Sequence, residues 1–398
     1  MTTGNGPAPA PRDGTGFFAF GEGGAVFSEA AQNLYALDPV AAYCWLEISA
    51  GQGRDAIAAA LAKESGLDDG DARNHVETAL SRFAEADLLD DGHAPTGLQS
   101  GVGEPEIVPP AGLAAALAAT TGAIDIQVLG HRLRVEFGSP DLADHLRPIL
   151  SCLEFGPPAP PATTLAVVEA GGTLYGCIDG VATLDNTVEP SPAALMERLI
   201  YETVLARSDF LLTIHGGVVG AGGGRAWLAL PATPGSGKST LTAALAAAGF
   251  AYGSDELMLL GHDLSVRPLS FPMCIKEASW PVLARRYPGL ATSPVHHRYG
   301  HRARYLPPPA PLTDNGWRPV AGFVFPRYAA EAATALVPLD PMTGMVRLFD
   351  QCLYVPRTLD LADVGRLVDF CARTPFYELP LSNLDAATTL VRDLVTAS

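Results

Sequence analysis

Between Ala232 and Thr240 the chain reads Ala-Thr-Pro-Gly-Ser-Gly-Lys-Ser-Thr. Gly235 and Gly237, with Pro234 and Ser236 between and before them, let successive backbone amides turn toward an anion. Lys238 then supplies a point charge for β- and γ-phosphates, Ser239 supplies an oxygen for Mg²⁺, and Thr240 continues into the next element. The flanks fit: Ala226–Leu230 reads as a short apolar strand, Pro231–Gly237 as a small-residue turn, and Lys238–Ala248 as a helix whose N-terminus adds its own partial positive charge. The spacing is G-x-x-x-x-G-K-[ST] with Ala232 in place of the first glycine, so the loop must begin in ordinary backbone space. ATP and Mg²⁺ are the expected ligands.

Asp255 and Glu256 follow Lys238 by 17 and 18 residues, between the apolar segments Phe250–Tyr252 and Leu257–Leu260. In open α/β sheets ligands bind beyond the carboxyl ends of strands, so such a pair faces the loop. Asp255 is then placed to take a proton from an attacking hydroxyl, and Glu256 to hold Mg²⁺ directly or through water. The plainer alternative is an exposed acidic turn or a helix N-cap pair. His215 is read either as a neighbour of the phosphates or as a core histidine satisfied by backbone. Lysine occurs only at positions 63, 238 and 276, so Lys276 stands out as a phosphate or substrate contact, although a strand-end lysine is ordinary. Arg285–Arg304, which includes Arg298, Arg302 and Arg304, carries five Arg and three His with no Asp or Glu. It reads as a basic mobile loop that clamps phosphates or an acidic peptide, or else pairs with a neighbouring subunit.

These groups need a scaffold, and the length of 398 residues implies two or three domains. Residues 1–16 read as a disordered tail, 17–97 as a small domain, 98–112 as a linker, 113–206 as an α/β subdomain and 207–398 as the phosphate-binding domain. In the small domain, Ala25–Phe27 and Asn33–Leu37 read as strands. Helices follow at Asp38–Ser49, Gly53–Ser65 and Asp71–Ala86, and Leu88-Leu89 begins a closing strand. Strands followed by three helices make a winged-helix-like α+β plan. Residues 17–97 hold 14 Asp/Glu against four Lys/Arg, and the whole chain is at −17, so nucleic acid and anionic membrane are excluded as general partners. Met1–Gly16 lacks a signal-peptide pattern and no apolar run approaches a membrane span, so a cytoplasmic location is expected. The six scattered cysteines read as free thiols.

Two resemblances add to this reading. The hydrophobic order of residues 17–97, with Ala41–Trp45, Gly51, Ala56–Leu61 and Ala86-Asp87-Leu88-Leu89, resembles the PqqD-like family of peptide carriers. That implies uptake of the leader of a ribosomally made precursor peptide as an added strand on Asn33–Leu37, with Asn33 and Tyr35 as contacts and Asp71–Ala86 as flanking helix. From about Ile124 to Val395 the chain resembles HPr kinase/phosphorylase. The matching stretches are His215–Val219, Ala232–Thr240, Gly253–Glu256, Pro272–Lys276, Gly322–Arg327 and Pro375–Leu381.

The second resemblance implies an α/β P-loop domain that transfers the γ-phosphoryl group of ATP to a serine hydroxyl. Asp255 would be the proton acceptor, Lys238 and Ser239 would handle phosphate and Mg²⁺, and His215 would sit beside them. It also implies a homo-oligomer, which an added N-terminal domain could block. Glu256 stands where HPr kinase has a second Asp, and the Gly-rich phosphorylase signature has no counterpart, so reverse dephosphorylation is not expected. Adenylyl transfer from the same site and a non-catalytic, nucleotide-gated peptide binder remain the rival readings.

Overall fold

The computed structural model describes residues 9–90, 107–155, 163–185, 191–221, 226–310, 312 and 316–396. In chain order the first elements are β1 (Thr15–Phe20), β2 (Gly23–Ser28), β3 (Asn33–Leu37), α1 (Pro39–Ser49), α2 (Arg54–Ser65) and α3 (Asp69–Glu85). Next come α4 (Leu113–Ala118), β4 (Gly122–Val128), β5 (His131–Phe137), α5 (Pro140–Leu150), β6 (Thr163–Ala170), β7 (Thr173–Ile178), β8 (Val181–Asp185) and α6 (Pro192–Leu205). The phosphate-loop region has β9 (Leu212–Ala221), β10 (Ala226–Pro231), α7 (Lys238–Ala247), β11 (Ala251–Ser254), β12 (Leu257–Leu260) and β13 (Val266–Pro268). It is followed by β14 (Met273–Lys276), α8 (Trp280–Leu283), β15 (His296–Arg298) and β16 (His301–Leu306). Then come β17 (Val320–Tyr328), β18 (Val337–Leu339), α9 (Pro341–Phe349) and β19 (Cys352–Tyr354). The chain closes with α10 (Leu361–Arg373), β20 (Phe376–Leu381) and α11 (Leu384–Thr396).

Two compact units emerge, and they do not follow chain order. The first joins the N-terminal segment through residue 104 to residues 340–347 and 357–374; the second holds the rest. In the first unit β1-β2-β3 form an antiparallel sheet whose β2 lies in the middle. Helices α1 to α3 cover it through a core of Val26, Trp45, Ile48, Ile57, Val76 and Phe83. Asp38 caps α1 by accepting from the Ala41 N–H at 2.8 Å, with Pro39 at the first helical position. Helix α3 starts earlier than the periodicity indicates, because Asp68 accepts from both the Gly70 and Asp71 N–H groups.

The disordered tail expected over residues 1–16 is corrected for its described part. Pro11 bridges Leu89, Arg12 is buried against the Asp87 carboxylate, and β1 pairs with β2 along its full length. Composition misleads there because a glycine-rich lead-in masks the run Phe17, Phe18 and Phe20. Residues 1–8, and residues 98–106 of the expected linker, lie outside the described residues. Helix α10 also belongs to this unit: the Gln32 amide donates to the Leu359 carbonyl at 2.9 Å, and Leu361 N–H donates to the Glu29 carboxylate at 2.9 Å.

In the second unit, among the described residues, β4 to β8 form one five-stranded sheet in sequential order. A nine-stranded sheet runs β13-β12-β9-β10-β17-β20-β18, with β11 and β19 also paired to β9. The β10-β17 and β17-β20 pairs are parallel, as crossover connections require, whereas β10 pairs with β9 antiparallel, so the strand before the phosphate loop has one neighbour of each kind. Strands β14, β16 and β15 form a third sheet. Arg285–Arg304 is therefore not one mobile loop: its second half is the β15–β16 hairpin, with His296 and Arg298 buried. The charge count hid this, because burial of Arg298 depends on a carboxylate far away in the chain.

Candidate active site

Strand β9 is the scaffold. Its residues pair with β10 (Gly216 opposite Pro231), with β11 (Val218 opposite Ser254) and with β12 (His215 opposite Leu257). One strand thus carries the phosphate loop on one side and the carboxylate turn on the other. Helix α7 lies close over it. A Cβ at Gly217 would stand 2.5 Å from the Thr242 hydroxyl oxygen, so the second glycine of His215-Gly216-Gly217 is needed for this approach.

The loop takes the expected turn. Gly235 and Gly237 have φ of 86° and 88°, whereas Ala232 is not among the residues with positive φ. The Tyr328 N–H at the end of β17 donates to the Ser236 carbonyl at 2.8 Å and fixes the outer wall of the loop. Thr240 shares a hydroxyl–hydroxyl hydrogen bond with Ser279 at 2.6 Å. Lys238 is buried and its Nζ donates to the Asp255 main-chain carbonyl. Burial lowers its pKa, against the pull of Glu256 and Asp255.

Asp255 and Glu256, adjacent in sequence, have different surroundings. The Asp255 carboxylate is buried; Tyr252 Oη donates to Oδ1 at 2.8 Å and the Cys274 N–H to Oδ2 at 3.3 Å. Burial raises its pKa to about 6, with Lys238 pulling the other way. Glu256 keeps 29% of its side chain accessible and lies 3.3 Å from Arg298 Nη2 and 3.8 Å from His215 Nε2. Burial opposes its ionisation, but Arg298, Lys238 and His215 outweigh it and hold the pKa below the usual carboxylate range. For His215 burial comes first and Lys238 second, and together they bring the pKa down to about 4, so the ring is neutral at pH 7. Its backbone N–H donates to Gln351 O at 2.8 Å. The main chain of His215 is thus held by Gln351, while its ring lies beside Glu256.

Of the basic candidates, Arg298 is in this cluster. It is bidentate on Glu197 of α6, Nε at 2.7 Å and Nη2 at 3.0 Å, and Tyr305 Oη donates to the same carboxylate at 3.2 Å. Arg302 pairs with Glu277, and Arg304 donates to the Leu290 carbonyl and stacks over Trp280 at 4.3 Å. Lys276 is exposed at the end of β14, near enough to depress the pKa values of Lys238 and His215. Sequence reasoning passed over Glu197, Tyr252 and Tyr305. Glu197 left one clue, a lone carboxylate among the buried Leu195, Met196 and Leu199 of α6. No cluster of three or more His, Cys, Asp or Glu able to hold a metal occurs among the described residues.

In the first unit β3 pairs with β2 and with no other strand among the described residues. Asn33 is exposed, its amide donates to Tyr35 Oη at 3.5 Å, and that hydroxyl donates to the Ala86 carbonyl at the end of α3 at 3.3 Å. Among the described residues, β3 therefore leaves an open edge, with Tyr35 tied to the C-terminal end of α3. All six cysteines are free, and no helix among the described residues is long and apolar enough to cross a membrane.

Comparison with known proteins gives two likenesses. Residues 23–89 match the family described as Coenzyme PQQ synthesis protein D (PqqD). The structure of the Hpr(Ser) kinase/phosphatase from Coxiella burnetii aligns over 46% of this chain and 97% of its own, at 14% identity and a TM-score of 0.24. No curated protein matches. The likeness to the PqqD family thus falls on residues 23–89, within the first unit.

Proposed function

We propose that this protein is an ATP-dependent kinase that phosphorylates a hydroxyl, most simply a serine, of a precursor peptide held by its leader on the PqqD domain. The observation that carries the reading is the convergence of Lys238, Asp255, Glu256 and His215 beside a loop whose two glycines turn amides inward. Gly235 to Thr240 cradle the triphosphate and Lys238 turns from the Asp255 carbonyl to the β- and γ-phosphates. Glu256, ionised and accessible, holds Mg²⁺ with Ser239. A Mg²⁺ held there would supply neutralisation of the phosphate charge. Asp255, with a pKa near 6, accepts the proton of the attacking hydroxyl at neutral pH. Neutral His215 lies beside Glu256 without adding positive charge.

On β3 the leader adds as a further strand, main-chain hydrogen bonds giving affinity and Asn33 and Tyr35 lining the groove. Tethering raises the effective concentration of the core segment at the active site to the order of millimolar. Basic side chains on β16, Arg302 and Arg304, together with Lys276, offer contacts to the acceptor or to phosphate. The protein acts in the cytoplasm, without nucleic acid or membrane partners, and self-association is compatible with the reading.

Intact-mass spectrometry of the precursor peptide encoded beside this chain, after incubation with protein and Mg-ATP, tests the reading. Gain of one phosphoryl group, lost in Lys238→Ala and Asp255→Asn, is the expected result. An adenylyl mass redirects it to nucleotidyl transfer, and unchanged peptide despite ATP binding leaves a nucleotide-gated binder.

A further inference from the structure

The β15–β16 hairpin turns at Tyr299-Gly300, and both residues have positive φ, 47° and 73°. Two-residue hairpin turns of this kind favour Asn-Gly, and a bulky aromatic residue in left-handed backbone is an outlier. The tyrosine is not there to fill a core, since 56% of it is exposed. Its ring is held instead from beneath: the Arg298 guanidinium lies 4.8 Å from the ring centroid. That guanidinium is fixed by the bidentate pair with Glu197, both partners buried, and its Nη2 reaches Glu256 at 3.3 Å. An aromatic side chain packed on an immobilised cation and still more than half exposed is a rigid contact surface, one residue from the arginine that reaches the accessible carboxylate of the site.

We propose that Tyr299 seats the acceptor peptide, stacking on the residue next to the phosphorylated hydroxyl, and that the Glu197–Arg298 pair sets the position of this seat relative to Glu256. The inference rests on the kinase reading given above. The occupant is the acceptor and not the nucleotide, because the phosphates belong to Gly235–Ser239, whereas the hairpin borders the carboxylate side. In-line transfer requires the acceptor to enter opposite the leaving group, hence from that side. Strain retained at an exposed aromatic is accounted for if the ring contacts substrate, as strained backbone concentrates at functional sites.

The test compares Tyr299→Asn and Tyr299→Phe in the full-length protein, with Mg-ATP and the neighbouring precursor peptide as substrates. Asn accepts left-handed backbone readily, so the Asn variant should melt no lower than wild type. Its KM for peptide should rise at least tenfold, while KM for ATP and kcat at saturating peptide stay within twofold, and Tyr299→Phe should keep the wild-type KM. A peptide KM unchanged in Tyr299→Asn overturns the proposal, as does a parallel rise in the KM for ATP. A wild-type protein that binds Mg-ATP but transfers nothing to the peptide removes the kinase reading and this inference with it.

Discussion

Around the phosphate loop, Lys238, Asp255 and Arg298 are buried and each already has a partner. Lys238 is on the Asp255 carbonyl, Asp255 on Tyr252 and Cys274, and Arg298 on Glu197 and Glu256. Along β3 of the PqqD domain the useful groups are backbone amides and carbonyls of an edge strand, with an exposed Asn33 and a half-buried Tyr35 beside them. One region gains its chemistry from desolvated charge, so single side chains matter greatly there. The other gains affinity from repeated main-chain geometry, so most side-chain changes should matter little and backbone changes more.

The largest effect expected from this contrast is on turnover. Asp255→Asn should lower kcat about 10²–10⁴-fold, the usual contribution of a general base, with ATP affinity by calorimetry little changed. A loss below tenfold would move the proton acceptor elsewhere. Next is stability: Arg298→Ala leaves the buried Glu197 without its counter-charge, with only the Tyr305 hydroxyl on it, and should cost about 3–5 kcal/mol in urea unfolding, while Arg298→Lys costs less. If Arg298→Ala unfolds at the wild-type midpoint, the buried pair is not the anchor described.

Proton linkage gives the third. The folded Asp255 pKa of about 6 lies above its unfolded value, so the native state binds this proton more tightly. This group therefore lowers stability as pH rises from about 4 to 6, and the penalty is full above 6. Asp255→Asn should then be more stable than wild type at pH 7, by up to about 3 kcal/mol, and wild-type kcat/KM should fall below pH 6. Equal stability of the two proteins from pH 4 to 8 would remove the shift. The smallest effect concerns the edge. Neighbouring residues of a strand point their N–H groups in opposite directions, so one of Leu34 and Tyr35 donates outward. Proline there should weaken leader binding about tenfold, the worth of one hydrogen bond, with little change in melting temperature, whereas Tyr35→Ala should weaken it less. If side-chain truncation hurts more than the backbone change, the edge mode is wrong.

Local patterns told most of what the sequence could tell. The loop is legible because its glycines, lysine and hydroxyl act within eight residues, and Asp255-Glu256 because strand, turn and strand are contiguous. The capping of α1 by Asp38 is equally local. What stayed hidden depends on contacts between distant segments. Arg298 reads as a surface cation until Glu197, some hundred residues earlier, is beside it. The unequal burial of Asp255 and Glu256 follows from Tyr252, Cys274 and Arg298 meeting across three elements. Strand β1 was lost for a different reason, since flanking glycines diluted its three phenylalanines.

The unit that contains the PqqD domain closes only when α10 arrives. Gly16 leaves room for Leu361, where a Cβ would stand 2.4 Å from a leucine methyl, and Gly365 leaves room for Phe18. Leu361 leaves the ribosome about 270 residues after Asp90, a delay of roughly a quarter of a minute to a minute at typical synthesis rates. During that interval the face of β1 that carries Phe18 is uncovered, a natural substrate for a chaperone that recognises extended apolar segments. A fragment ending near residue 104 would keep that surface bare permanently, so this isolated N-terminal quarter should be far less soluble than the chain from which it is cut.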